Sequence, residues 1–137
     1  MNKSNPIQIV AGAALLVTAT LVAPCAFAQS GETVTPLSVR LTECATIFRG
    51  LAIIEERNHI GYRSIDLYEQ GTADLARAAV RQAGVEGYAD PVDTLSPIYT
   101  ELQERWGKRL LNPADPSRVR GWIDYCRSLG RATGALR

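Results

Sequence analysis

Histidine is almost missing from this chain. His59 is the single imidazole among 137 residues, so a Ser-His or Cys-His nucleophile would have to be built around that one side chain. There is no G-x-S-x-G elbow to present a catalytic serine and no glycine-rich loop to cradle phosphate. Glu56 and His59 have the Glu-x-x-His spacing of carboxylate-bridged di-iron bundles, but those sites need a second such motif and two further glutamates. A chain with one histidine cannot supply the second motif, and this one reads as a solvated helix end. No catalytic constellation, metal or cofactor is therefore expected.

Cysteine is also scarce, with Cys25, Cys44 and Cys126 as the full set. None of them forms a C-x-x-C pair, which excludes a dithiol redox centre of that type and a C-x-x-C-H haem attachment. Sustained period-two alternation of β-branched residues is missing too, so no strands are expected. Nor is there an internal repeat.

The N-terminus is where an unusual stretch appears. Met1-Asn2-Lys3 carries one positive charge, Ile9 to Val22 is mainly apolar, Pro24 breaks the run, and Ala26-Phe27-Ala28 ends it with small residues at the two positions a signal peptidase reads. Residues 1–28 read as a signal peptide cleaved after Ala28. An uncleaved anchor is the alternative, since Ile7 to Ala28 approaches the ~20 apolar residues that span a bilayer. Residues 29–35 are polar and read as a flexible leader, and residues 36–137 as one helical domain. A bacterial periplasmic or secreted location follows. Export argues against a nucleic-acid partner and leaves no membrane span after cleavage.

Removing the leader leaves Cys44 and Cys126, an even pair in an oxidising compartment, and so a structural disulfide is expected. Removing Lys3 leaves 14 basic residues against 14 acidic ones. The two signs are segregated: residues 29–104 carry six basic and twelve acidic side chains, and residues 105–137 carry eight basic and two acidic. The cationic end suggests a surface for an anionic partner at Arg105, Lys108, Arg109, Arg118 and Arg120. The plainer reading is that acidic neighbours in the bundle complement it.

Four helical patterns follow. Thr35-Pro36 reads as a cap and first helical residue. Leu41, Cys44, Phe48, Leu51 and Ile54 then form a core stripe that Ile47 widens, and Glu55 falls on the stripe where it runs out. Asn58 and Gly61 end this helix. Ser64 reads as the cap of a second helix with Ile65, Tyr68, Thr72, Leu75 and Ala79 on its face. Gly71 weakens its middle, and a break there with a restart capped by Thr72 is the alternative.

Asp90-Pro91 opens the third helix, whose face is Val92, Leu95, Tyr99, Leu102, Trp106 and Leu110. Pro97 should kink or break it between Asp93 and Pro97, with Ser96 as a fresh cap. The turn Asn112 to Pro116 leads to a fourth helix carrying Val119, Trp122, Cys126 and Leu129. A frayed tail is expected from Arg131.

Short links between four helices predict an all-α, small up-down-up-down four-helix bundle stapled by one disulfide and preceded by a cleaved signal peptide. That topology makes helices one and four antiparallel, with the two cysteines level. The functional expectation is an exported, non-enzymatic binding or accessory protein of inhibitor, immunity or chaperone-like type, whose partner is another exported or envelope protein. The alternative is a small-ligand-binding or cofactor-free enzymatic bundle with an Arg-lined pocket, in which Arg49, Arg105, Lys108 and Arg109 clamp a dicarboxylate. Trp106 and Trp122 fall on core stripes and read as packing. Tyr62, Tyr68 and Tyr88 lie near one set of loops and could form an exposed binding end.

Overall fold

The computed structural model describes residues 34–58, 62–112 and 116–137. The expected signal peptide and its expected cleavage point after Ala28, His59, Gly61 and residues 113–115 of the third turn lie outside the described residues. Among those described, the chain is all-helical, with α1 at Leu37–Arg57, α2 at Tyr62–Val85, α3 at Pro91–Leu111 and α4 at Pro116–Ala132, and no strand. No helix of the described residues is long and apolar enough to cross a membrane.

The hub of the fold is α1. It packs against all three other helices, most closely against α2 and then α3. Its burial is accordingly not a stripe: Leu41, Thr42 and Cys44 to Phe48 are buried in nearly unbroken succession. Two threonines sit inside this run, and each hydroxyl finds a carbonyl on its own helix. Thr42 Oγ1 donates to Ser38 O at 2.8 Å, and Thr46 Oγ1 to Glu43 O at 2.7 Å. Those bonds remove the penalty that a buried, unpaired hydroxyl would carry. Trp106, Leu41, Ile47 and Leu75 are the largest fully buried side chains, each contributing on the order of 1.5–3 kcal/mol by burial.

Contact pairs give the direction of each neighbour. Glu86, one residue past the end of α2, meets Ser38, and Glu69 within α2 meets Arg49, so α1 and α2 are antiparallel. On α3, Trp106 meets Glu43, and Leu110 lies against Gly50, so α3 runs parallel to α1.

Cys44 and Cys126, both fully buried, are disulfide-bonded with their Cα atoms 5.3 Å apart, as the sequence led us to expect. The surroundings of the bond differ from expectation. Two helices antiparallel along their length would set Trp122 beside Phe48. Instead Trp122 shares a groove with Arg40, while Leu136 and Phe48 both reach Gly71. The α4 helix therefore lies across α1 at the disulfide. Its first half reaches toward α3, where the Trp122 and Trp106 rings meet edge-to-face at 5.3 Å. Its far end reaches toward α2.

Other local expectations also change. Pro36 is the N-cap of α1 and makes no side-chain capping bond. The α2 helix starts at Tyr62, ahead of Ser64, and runs through Gly71 without a break. Thr72 Oγ1 donates to Tyr68 O at 2.8 Å rather than capping a new helix. A β-carbon on Gly71 would lie 2.6 Å from Cδ2 of Phe48, so α1 and α2 approach closely at this glycine.

The α3 helix is likewise continuous through Pro97. Ser96 Oγ donates to Val92 O at 2.8 Å, a bond back into the preceding turn rather than a new cap. Asp93 and Pro97 are both exposed, so the carbonyl that proline leaves without a partner can be hydrated. Asp90 caps α3 as expected, accepting from Asp93 N at 3.1 Å.

The tail is not frayed. Gly134, at φ +68°, donates to Arg131 O, and Ala135 donates to Gly130 O. This paired closure turns the chain back on itself and lays Leu136 on Gly130.

A candidate anion-binding groove between α2 and the C-terminal segment

The five basic residues singled out from sequence are not gathered into one site. Arg105 and Lys108 close on acids of their own helix, Glu101 at 2.6 Å and Glu104 at 2.7 Å. The hydrogen bond and charge of Lys108 hold the Glu104 carboxyl below its ordinary range. Arg109 lies over the Trp106 ring at 5.1 Å. Arg118 lines a small groove with Arg40, Gly121, Trp122 and Tyr125. Arg120 is exposed.

A different set of arginines converges. Arg77 and Arg81 on α2, Arg127 and Arg131 on α4, and Arg137 in the tail line one groove of about 820 Å³, open to solvent. Asp74 is the only acidic residue among its lining residues, and it pairs with Arg77. Arg127 has only a long contact with Asp124, at 4.0 Å. Arg81, Arg131 and Arg137 make no ion pair among the described residues. By contrast Arg49, Arg77, Arg105 and Lys108 each have a close acid.

Helical spacing explains the arrangement. Arg77 and Arg81 are four apart on α2, and Arg127 and Arg131 four apart on α4, so each pair shares a helix face. The disulfide crossing and the turned-back tail bring the two faces together. Beside the arginines the wall is apolar, with Phe48, Leu67, Tyr68 and Leu136. Phe48 and Tyr68 pack edge-to-face at 5.6 Å. Leu67 is 63% exposed. Sequence reasoning missed this groove because its two arginine pairs lie fifty residues apart; the segregated charge pointed only to the C-terminal half of it.

A smaller groove lies between α2 and α3, lined by Ala76, Val80, Val92, Leu95 and Tyr99 among others. Burial pushes the Tyr99 phenol up, and the positive charge of Arg49 offsets part of that. Glu55, placed on the core stripe by its spacing, keeps one buried carboxylate oxygen without a hydrogen-bond partner among the described residues. No group of three or more His, Cys, Asp or Glu side chains suited to a metal ion occurs among the described residues. Chemically, the arginine groove can bind and orient acceptors; guanidinium groups hold carboxylate or phosphate but are not deprotonated at neutral pH. No family model, curated protein or solved structure matches the chain.

Proposed function

We propose that this is an exported, non-enzymatic binding protein, matured by cleavage after Ala28 and working in the periplasm or outside the cell. More particularly, its partner is another exported or envelope protein, which presents an acidic segment to the arginine groove. The role is that of an inhibitor, immunity or chaperone-like accessory. The observation that carries this reading is the groove itself: five arginines around one aspartate, in a mature chain whose basic and acidic residues balance. Uncompensated cations collected on one concave face attract and orient an anionic partner.

Two further observations support the reading. The Cys44–Cys126 bond suits an oxidising compartment. The core is filled by Trp106, Leu41, Ile47 and Leu75, and the arginines face an open groove rather than an enclosed, carboxylate-bearing pocket of the kind an enzymatic bundle would use. The topology behind the groove is an up-down-up course for α1 to α3, with α4 laid across α1.

The test is capture of partners from periplasmic extract by mature protein beginning at Gln29, with and without Arg81→Glu and Arg131→Glu together. A partner identified by mass that is lost with the double variant supports the reading. A partner held equally by both proteins, or no partner at all, counts against it. Intact-mass measurement of the exported protein should give a chain starting at Gln29; retention of residues 1–28 would refute the processing and return the anchor.

A further inference from the structure

The arginines occupy only part of the groove. Along α2 its wall runs from Ser64 to Arg81, roughly 25 Å of helix at 1.5 Å per residue. Leu67 and Tyr68 lie toward one end, and Arg77 and Arg81 toward the other. Phe48 and Leu136 lie against Gly71, between those two ends, and Arg127 and Arg131 face the same groove from α4.

We infer that the groove reads a linear peptide segment with an apolar anchor at one end and two or more carboxylates about five or six residues away. This rests on the reading of the groove as a protein-binding site. Leu67 stands ten to fourteen positions before Arg77 and Arg81, a separation of roughly 15–21 Å along the helix. An extended chain covers that distance in about five or six residues at ~3.3 Å each.

Other occupants fit less of the surface. An inorganic anion or an acidic globular face would satisfy guanidinium groups and leave Leu67 bare. A flat bilayer would meet the rim of a concave groove. A segment with both features covers the apolar and the cationic parts at once, and joining two weak contacts through a spacer of matching reach raises affinity without new contacts.

The experiment uses the mature, disulfide-bonded protein and fluorescein-labelled synthetic peptides. Each peptide carries a leucine pair and a triglutamate, joined by a glycine-serine spacer that is very short, about five residues, or about twice that. Triglutamate alone and phosphatidylglycerol vesicles are the comparison probes. Fluorescence anisotropy should show the middle spacer binding best, roughly tenfold tighter than triglutamate alone. Arg81→Ala and Arg131→Ala should each weaken every peptide. Leu67→Ser should weaken only the peptides that carry leucines, down to the level of triglutamate. Because Leu67 is largely exposed, that variant tests recognition without threatening the core.

Indifference to the leucines or to spacer length, full displacement by vesicles, or no binding would each overturn the inference. If such a result stands beside a captured partner that depends on Arg81 and Arg131, the protein-binding reading survives and only the anchored-segment inference falls.

Discussion

Glu86, just past the end of α2, caps the first turn of α1 through Ser38. Its carboxylate accepts from Ser38 N at 3.1 Å and from the Ser38 hydroxyl. Pro36, the local N-cap, has no side-chain bond to offer, so an acid from elsewhere in the chain supplies it. A carboxylate there also meets the positive end of the α1 dipole. Burial pushes the Glu86 carboxyl up, but hydrogen bonds from Ser38, Gln82 and the Leu37 backbone outweigh it and hold the group below its ordinary value.

The pH dependence follows from that direction. A carboxyl with a lowered folded-state pKa contributes stability that is full above its ordinary unfolded value and is lost as pH falls through the folded value. Urea unfolding of wild type and Glu86→Gln between about pH 7 and pH 3 should show wild type more stable at neutral pH, by about 0.5–1 kcal/mol given the exposure of the site. The gap should close at the acid end. A gap that is constant with pH would show that the charge is not what Ser38 holds.

Two glycines should respond in opposite directions to alanine. In Gly71→Ala the new methyl meets the Phe48 ring, which is buried and cannot move freely, and overpacking of this kind costs about 1–3 kcal/mol. In Gly121→Ala nothing lies within 4 Å of the new methyl, so the better helix former should stabilise by up to ~1 kcal/mol. Denaturation midpoints check both. Stabilisation by both would mean that α2 does not approach α1 closely at Gly71.

Pro97 is exposed and sits inside a continuous α3. Pro97→Ala restores a backbone donor to the Asp93 carbonyl and should stabilise by about 1–3 kcal/mol. A loss of stability would indicate that the proline shapes the entry of α3 in a way an ideal turn cannot replace.

Cys44→Ser should lower stability by roughly 2–5 kcal/mol, because the bond closes a loop between residues 82 apart. It should also leave Cys126 as a free thiol able to form dimers. Thiol labelling of the unfolded, unreduced protein beginning at Gln29 should modify neither Cys44 nor Cys126 in wild type. Labelling of both would remove the bond.

The number of helices, most of their boundaries and the disulfide were legible in the sequence. Each rests on a short-range signal: Leu41, Cys44 and Phe48 at helical spacing, Asp90-Pro91 as a cap and first residue, and Cys44 and Cys126 as the two cysteines on helical core stripes. The missed features at Gly71, Thr72, Ser96 and Arg131 share a cause. Each was read as a local break, and in the structure tertiary contact or a backbone bond continues or anchors the chain there. Phe48 rewards the glycine, the Thr72 and Ser96 hydroxyls bond back into their own helices, and Gly134 turns the tail onto Gly130.

What the sequence determined alone was therefore composition-level and local: helices, core-facing residues, a pair of cysteines, and cationic charge gathered toward the C-terminus. Tertiary structure alone decided that α1 is surrounded, that α4 crosses it instead of lying alongside, and that Arg77 and Arg81 face the same groove as Arg127 and Arg131. The reason is physical. Spacing along one helix determines which side chains share a face. Which faces of distant helices meet depends on packing volumes such as Gly71 against Phe48, on the Cys44–Cys126 crossing, and on where the chain turns back, and none of these is carried by the periodicity of a single segment.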